Sequence, residues 1–304
     1  MPARPAAGSL LGIEPLALKD IDRILLSARS MAAKRPRPLL TGKRVALLFY
    51  ETSTRTRVSF EYAAKTLGAT VTVINASTSS IEKGESLIDT GYTIMALGAN
   101  AIVIRHPSSG APVLLARHVD VPVINAGDGL HEHPSQALLD AYTILQHKKK
   151  LKGLKVALIG DIFHSRVARS DVLLLSKAGA KVVLCGPPEL APDVATTLAP
   201  NVTVTRDLRE ALEDTDVIIA LRIQKERLEG LQLKLDDYIA CYQISADRVR
   251  WAKRDVIVMH PGPIIRGLEL TADVADAERT VILEQVKNGV AVRMAILAHA
   301  MGRR

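Results

Sequence analysis

Short apolar runs alternate with longer segments of helical periodicity along the chain. In the first half, runs of strand length occupy residues 44–50, 70–74, 101–104 and 121–125. Apolar residues recur at the spacing of one helix face over residues 15–33, 58–67, 86–97 and 135–146. Because buried strands that alternate with helices are typical of a covered parallel sheet, this half is predicted to be one α/β domain.

The alternation stops at the lysine-rich stretch 148–153 and then begins again. Strand-like runs in the second half occupy residues 154–160, 181–184, 202–204, 216–220 and 256–259. A last segment of helical periodicity, 279–301, is long enough to pack back against another element. We therefore predict two parallel-sheet α/β domains, residues 1–148 and 149–285, with a C-terminal helix, 286–304, that returns to the first.

Composition narrows the class of protein. The chain of 304 residues carries 40 Lys+Arg against 32 Asp+Glu, which indicates an anionic partner: nucleic acid, a membrane surface or small anionic substrates. Aromatic residues make up only 3% of the chain, so platforms for base stacking are scarce. The apolar runs fall short of the roughly 20 residues that span a bilayer, and the N-terminus lacks a signal-like apolar region, so we expect a cytoplasmic protein.

Two details of the sequence give further expectations. Residues 1–11 are small and contain proline, which predicts a loosely held tail. Cys185 and Cys241 are far apart and have no metal-ligand spacing, so both are predicted to be free, buried thiols, and no metal site is predicted from them.

The densest group of chemically competent side chains directly follows the first predicted strand. It contains three hydroxyl residues and two arginines: Ser53, Thr54, Arg55, Thr56 and Arg57. A helix is predicted to begin near Val58, so backbone N–H groups and the helix dipole would attract an anion to this turn. Arginine suits phosphate because its guanidinium donates two parallel hydrogen bonds. An ordinary helix cap in a solvated basic turn is the alternative, and the two arginines make it less favourable.

Other predicted strands of the first half also end in polar residues. Arg105 lies at the end of a strand, where ligands bind in open parallel sheets. The segment 125–136 carries His131, His133 and Gln136. Two histidines at this spacing raise the possibility of zinc, but a complete ligand set is not evident in the sequence. Hydrogen bonding to a carbonyl oxygen by His133 and to an amide by Gln136 is the simpler prediction.

In the second half, residues 160–170 occupy the place of a dinucleotide-binding turn but lack its glycines. This segment offers Arg166 instead, and Arg222 follows a later strand, so two strand ends that bear arginine predict a dicarboxylate site. The last strand ends in the proline-rich turn 260–263. Proline has no N–H group, so this turn would expose carbonyl acceptors, although a plain rigid turn is the alternative.

Five motifs in this order resemble the aspartate/ornithine carbamoyltransferase family from about residue 12 to residue 300. They are residues 53–57, Lys83-Gly84-Glu85, Arg105-His106, His133-Pro134-Ser135-Gln136 and His260-Pro261-Gly262-Pro263. Within the family the chain is similar to the aspartate branch, because Ser135 stands where many ornithine enzymes carry cysteine. The motif 260–263 and the segment 222–227 are also similar to that branch.

The resemblance implies a role for each candidate residue. It implies a carbamoyl phosphate domain and an aspartate domain, with Arg55, Thr56, Arg105 and His133 as the catalytic residues. The phosphate would be held by Ser53, Thr54, Arg55 and Thr56, and the carbamoyl group by Arg105, His133, Gln136 and the backbone of Gly262 and Pro263. The aspartate carboxylates would be held by Arg166, Arg222 and Gln224, while Ser79 and Lys83 would come from a neighbouring subunit of a homotrimer.

The implied reaction is carbamoyl phosphate + L-aspartate to N-carbamoyl-L-aspartate + phosphate, a step of pyrimidine synthesis. The amine would attack directly through a tetrahedral intermediate, with no cofactor, no metal and no nucleic-acid or membrane partner. A larger assembly with regulatory chains or dihydroorotase stays open. The alternatives are an ornithine-type transcarbamylase, a non-catalytic anion- or nucleic-acid-binding protein, and a non-enzymatic homologue; the arginines and the intact motifs weigh against them.

Overall fold

The computed structural model describes residues 4–33, 36–75, 84–223 and 234–302. It divides into two compact units, Met1–Tyr142 with Val286–Arg304, and Thr143–Gln285. Each unit contains a parallel β-sheet, so the prediction of two α/β domains is confirmed. The chain passes from the first unit to the second within the helix Pro134–Lys148 and returns within the helix Ile282–Ala300.

The first unit contains a four-stranded sheet. Its strands are β1 (Arg44–Phe49), β2 (Thr70–Asn75), β3 (Ala101–His106) and β4 (Val123–Asp128). All neighbours pair in parallel, in the order β2-β1-β3-β4. The helices are α1 (Leu18–Ala33), α2 (Thr54–Thr66), α3 (Leu87–Ala96), α4 (Ala111–Ala116) and α5 (Pro134–Lys148).

Burial differs among the four strands of this sheet. Five of the six residues of β1, four of the six of β3 and all six of the edge strand β4 are buried, and the apolar runs of β1 and β3 form the core together with Ile94 and Leu115 from the flanking helices. The edge strand β2 has no fully buried residue, which agrees with its alternation of threonine and apolar residues. Because all four strands are parallel, their carboxyl ends lie at one edge, where the polar residues predicted to act are found.

The second unit contains a five-stranded parallel sheet. Its strands are β5 (Lys155–Ile159), β6 (Lys181–Cys185), β7 (Val202–Thr205), β8 (Val217–Ala220) and β9 (Ile257–Met259). Their order is β7-β6-β5-β8-β9. Its described helices are α6 (Arg166–Lys177), α7 (Leu208–Leu212), α8 (Leu235–Tyr242), α9 (Ala246–Val249) and α10 (Ala272–Ala275), together with the 3-10 helix Asp193–Leu198. The last helix, α11 (Ile282–Ala300), begins in this unit and lies mostly in the first.

Two sequence predictions need correction at the level of local structure. Helix α2 begins at Thr54 rather than near Val58, because Ser53 takes the extended conformation of an N-cap and its carbonyl accepts from the N–H of Arg57 at 3.1 Å. Residues 9–11 are not a loose tail. The N–H of Leu10 donates to the carbonyl of Val123, and the carbonyl of Leu10 accepts from Asn125, so the segment adds to the edge of β4.

The prediction about the two cysteines is correct for only one of them. Both are free, but Cys185 is buried at the end of β6 and Cys241 is exposed on α8. No helix within the described ranges is both long enough and apolar enough to cross a bilayer.

Candidate active site

The first turn of α2 presents the hydroxyl and arginine side chains to the carboxyl edge of the first sheet. Thr54 and Arg55 are exposed, Ser53 and Arg57 are half-buried, and Thr56 is buried with 5% of its surface exposed. Within the described structure the Ser53 side chain makes no capping hydrogen bond. The first backbone N–H groups of any helix have no acceptor inside the helix, so this turn offers several donors and a positive helix end to an anion.

Thr56 lies beside His133, which belongs to a different strand-to-helix connection. The hydroxyl of Thr56 is 3.5 Å from Nε2 of His133, and Nδ1 of the same ring is 3.4 Å from the hydroxyl of Ser135. His133 is almost fully buried and immediately precedes α5. A threonine hydroxyl and an imidazole nitrogen therefore converge at the edge of the sheet, and both can donate to a carbonyl oxygen.

Arg105 lies near the carboxyl end of β3, and its guanidinium is held in place. Its Nε donates to Oε2 of Glu51 at 3.1 Å, and one terminal nitrogen reaches the carbonyl of Ala126 at 3.5 Å. Only 17% of the Arg105 side chain and 24% of the Glu51 side chain are exposed. Glu51 was not among the predicted site residues, because a single glutamate after a strand has no distinctive sequence pattern.

The connection that carries His133 is organised by two buried carboxylates. Asp128 is fully buried and accepts hydrogen bonds from the N–H of Gly110 at 2.7 Å, the side-chain amide of Asn125 at 2.7 Å and the N–H of Glu132 at 3.2 Å. Glu132 in turn accepts from the N–H of Ile13 at 2.8 Å. Neither carboxylate was predicted to have a role, since their partners lie up to 119 residues away in the sequence.

Gln136 lies on the first turn of α5 and contacts a third buried carboxylate. Its side-chain nitrogen donates to both oxygens of Asp140, at 3.1 and 3.2 Å. Both residues are more than 90% buried. The sequence signal for Asp140 is a lone acidic residue within the otherwise apolar run 137–142.

The second unit places Arg166 and Arg222 after two neighbouring strands. Arg166 is the first residue of α6, whose N-cap Ser165 accepts from the N–H of Ala168 at 3.0 Å. Arg222 follows β8, which pairs in parallel with β5. Both arginines are half-buried at the carboxyl edge of the second sheet, so the predicted pair of arginine-bearing strand ends is present.

Glu269 connects the segment after β8 with the segment after β9. It is buried, and its two carboxylate oxygens accept from the N–H of Ile223 at 3.0 Å and of Ile265 at 2.8 Å. Burial raises the pKa of the Glu269 carboxyl, while these backbone bonds and the charge of Arg222 oppose the rise. Glu269 was also not predicted from the sequence, where it is a single acidic residue between two leucines.

The turn after β9 is tightly organised around His260. Nδ1 of this buried ring accepts from the N–H of Gly262 at 2.8 Å, and its Nε2 is 4.0 Å from Oε2 of Glu269. Gly262 has a positive φ of 74°, a conformation that glycine adopts at little cost, and Pro263 is exposed. The bond between Gly262 and the His260 ring therefore joins the two ends of this turn.

Three of the predicted site residues, Ser79, Lys83 and Gln224, lie outside the described residues. Among the residues that are described, no group of three or more His, Cys, Asp and Glu side chains could hold a metal ion. His131, which raised the possibility of zinc, has its Nδ1 at 3.0 Å from Asp128.

Two family models match the chain in succession. The model "Aspartate/ornithine carbamoyltransferase, carbamoyl-P binding domain" matches residues 9–146, and the model "Aspartate/ornithine carbamoyltransferase, Asp/Orn binding domain" matches residues 152–300. The aspartate carbamoyltransferase catalytic subunit of Koribacter versatilis is 63% identical over 289 residues, which is 95% of each chain.

Solved structures agree with this comparison. Aspartate transcarbamoylase from Trypanosoma cruzi, in complex with carbamoyl aspartate and phosphate, is 35% identical with a TM-score of 0.86 and covers 96% of this chain and 95% of its own. Ornithine carbamoyltransferase from Pyrococcus furiosus is 32% identical with a TM-score of 0.89 and covers 99% of both chains. The fold alone therefore does not separate the two branches. This chain belongs to the aspartate/ornithine carbamoyltransferase family.

Proposed function

We propose that this chain transfers the carbamoyl group of carbamoyl phosphate to the α-amine of L-aspartate, forming N-carbamoyl-L-aspartate and phosphate. The observation that carries the proposal is the approach of Thr56 to His133 at the positive end of α2, with Arg105 on the same edge of the sheet. Relatives at 50–63% identity named aspartate carbamoyltransferase catalytic subunit support aspartate as the second substrate. The reaction is a step of pyrimidine synthesis, which agrees with a cytoplasmic location.

The phosphate is assigned to the first turn of α2. Ser53, Thr54 and Thr56 supply hydroxyl donors, Arg55 supplies a charged one, and the unpaired N–H groups of the turn complete the set. The same groups stabilise phosphate as it leaves, because negative charge accumulates on its oxygens as the bond to the carbamoyl carbon breaks. The exposure of Arg55 leaves its guanidinium accessible to an entering substrate.

The carbamoyl group is assigned to Thr56, Arg105, His133 and Gln136. As the amine attacks, the carbonyl oxygen becomes an oxyanion, and the donors of Thr56, Arg105 and His133, which are already in place, stabilise it without reorganisation. Losing one such donor typically costs about 2.7–4 kcal/mol of barrier. The backbone around Gly262 and Pro263 supplies carbonyl acceptors for the carbamoyl NH₂ group.

The two carboxylates of aspartate are assigned to Arg166, Arg222 and Gln224. Guanidinium groups at two neighbouring strand ends suit a dianion, whereas a cationic second substrate such as ornithine would be repelled. We accordingly assign carbamoyl phosphate binding to residues 1–148 and aspartate binding to residues 149–285, with residues 286–304 as the returning helix. The arginines also offset the mutual repulsion of the two anionic substrates.

We further propose a homotrimer in which Ser79 and Lys83 act in a neighbouring subunit's site, as the family resemblance implies. Mixing Arg55→Ala chains with Lys83→Ala chains tests this arrangement. Hybrid trimers should regain activity, because some sites receive an intact Arg55 and an intact Lys83. Activity that stays at the level of the separate variants would exclude shared sites.

Steady-state kinetics of two arginine variants tests the proposed function. Arg55→Ala should abolish aspartate-dependent phosphate release, while Arg222→Ala should chiefly raise the KM for aspartate. The matched control is Arg29→Ala, at an exposed position of α1, which should behave as the wild type. If Arg222→Ala left the KM for aspartate unchanged, the assignment of aspartate to the second unit would be wrong.

A further inference from the structure

Gln136 and Asp140 lie one turn apart on the same face of α5 and form a contact that leaves little freedom to the glutamine. The side-chain nitrogen of Gln136 is 3.1 Å from one oxygen of Asp140 and 3.2 Å from the other. Asp140 is 1% exposed and Gln136 is 7% exposed. The contact is therefore shielded from water, where hydrogen bonds are stronger than at the surface.

The chemistry of the pair fixes which end of the Gln136 amide faces Asp140. An ionised carboxylate can only accept hydrogen bonds, so it selects the NH₂ group of the amide. The carbonyl oxygen of Gln136 is thereby turned away from Asp140. If the amide rotated by half a turn, two oxygens would face each other in a buried place, which is costly.

Arg293 of α11 brings a buried positive charge within electrostatic reach of Asp140. Arg293 is 3% exposed, its guanidinium carbon is 5.1 Å from the centre of the Phe60 ring, and the charge of Asp140 acts on it. Burial lowers the pKa of Arg293 to about 10, and Asp140 opposes that shift, so the guanidinium stays cationic at neutral pH. Gly289, one turn earlier on α11, leaves room for it, since a Cβ there would collide with Nη1 of Arg293.

We propose that Asp140, supported by Arg293, is a positioning residue that fixes the amide of Gln136 with its carbonyl oxygen toward the substrate. The inference rests on the proposed function and deepens it, because a fixed acceptor recognises the NH₂ group of carbamoyl phosphate. A substrate that carries a methyl group in place of NH₂ has no hydrogen to donate, so it gains nothing from this oxygen. Asp140 thus contributes to the choice of a carbamoyl over an acetyl donor.

The test compares carbamoyl phosphate with acetyl phosphate, which differs from it by CH₃ in place of NH₂. Asp140→Asn keeps the shape of the side chain but offers an NH₂ group to Gln136, so the glutamine amide can turn over. We expect the kcat/KM for carbamoyl phosphate to fall by about 10- to 100-fold, as expected for an unpaired buried polar group. The inhibition constants of acetyl phosphate and inorganic phosphate should stay within about twofold of the wild-type values, since neither compound has an NH₂ group that donates to the oxygen of Gln136.

Two further variants separate positioning from a general loss of structure. The quantity to compare is the ratio of the kcat/KM for carbamoyl phosphate to the reciprocal of the inhibition constant of acetyl phosphate. In a Gln136→Met background, Asp140→Asn should have no further effect on this ratio, because the residue through which Asp140 acts is gone. Gly289→Ala is a milder change that displaces the guanidinium of Arg293, and it should shift the ratio in the same direction. Asp22→Asn, exposed on α1, is the control for the same chemical change.

The outcomes are distinct from those of the proposed function. If the wild type does not release phosphate when aspartate is added, the proposed function fails before any variant is compared. If the wild type is active but Asp140→Asn reduces the kcat/KM for carbamoyl phosphate and the binding of acetyl phosphate by the same factor, Asp140 has only a structural role. An unchanged ratio in both Asp140→Asn and Gly289→Ala would likewise overturn the proposal.

Discussion

The hydroxyl of Thr56 and Nε2 of His133 are 3.5 Å apart, although the two residues are separated by 77 positions in the sequence. One begins the helix after β1 and the other precedes the helix after β4. Only β3 lies between β1 and β4 in the sheet. Because all these strands are parallel, both residues lie at the same edge of the sheet. The convergence of two buried donors from different connections is what a preorganised oxyanion site requires.

Thr56→Val should lower kcat strongly while the fold is retained. Valine has nearly the shape of threonine but cannot donate to the developing oxyanion, so a loss of about 10²–10³ in kcat is expected. Steady-state kinetics measures it, and Thr66→Val, at the exposed end of the same helix, is the control. A Thr56→Val enzyme with wild-type kcat would show that this hydroxyl is not part of the site.

Glu51→Gln should reduce activity through Arg105. The glutamine still accepts from Nε of Arg105, but the bond loses its charge assistance, so the guanidinium is held less firmly. We expect a roughly tenfold lower kcat/KM for carbamoyl phosphate. Glu61→Gln removes a carboxylate that pairs with Lys65 on the surface of α2 and should leave kcat/KM unchanged. Equal effects of the two substitutions would argue against a positioning role for Glu51.

The two thiols should react at very different rates. Cys241 is exposed, whereas Cys185 is buried, and burial raises the pKa of the Cys185 thiol to about 12. Since the thiolate is the reactive form, only Cys241 should react with a thiol reagent in the native protein. Both should react in denaturant, and Cys241→Ser should abolish the native reaction. Rapid native labelling of that variant would contradict the burial of Cys185.

Protonation of His106 should lower the free energy of unfolding at mildly acidic pH. Burial lowers the pKa of His106 below its usual 6.5, although Glu51 and Asp128 oppose the shift, and Nδ1 accepts from the N–H of Ser108 at 2.9 Å. The unfolded chain then binds a proton more readily than the folded one. Stability is therefore fully present above pH 6.5 and is lost as the pH falls toward the lower, folded pKa.

Urea unfolding at neutral and mildly acidic pH measures this loss. His106→Asn keeps an acceptor for Ser108 but cannot become charged, so its stability should fall less as the pH is lowered. His118→Asn, at a half-exposed position after α4, is the control and should keep the wild-type dependence. An identical pH dependence for wild type and His106→Asn would remove His106 as the cause.

The strands were predictable from the sequence because burial in a parallel sheet demands uninterrupted apolar runs. The runs at 44–50 and 101–104 correspond to β1 and β3 within two residues. The start of α2 was predicted four residues too late, because its first turn is made of threonine and arginine rather than apolar residues. The first turn of a helix that faces a ligand does not need the apolar stripe by which amphipathic helices are recognised.

The supporting carboxylates could not be predicted from the sequence. Asp128, Glu132, Asp140 and Glu269 act through backbone and side-chain partners that only the fold brings near them. A lone acidic residue in an apolar stretch signals that a buried partner exists, but it does not identify the partner. The arginines and hydroxyl residues were easier to predict, because their clustering after strands is itself the chemical signal.

The most direct test is the formation of N-carbamoyl-L-aspartate by the purified protein. Carbamoyl phosphate is supplied with L-aspartate or with L-ornithine, and both the carbamoylated product and the released phosphate are measured. We expect equal amounts of N-carbamoyl-L-aspartate and phosphate with aspartate, no product with ornithine, and loss of both signals in Arg55→Ala. Citrulline formed from ornithine, with no product from aspartate, would overturn the proposed function.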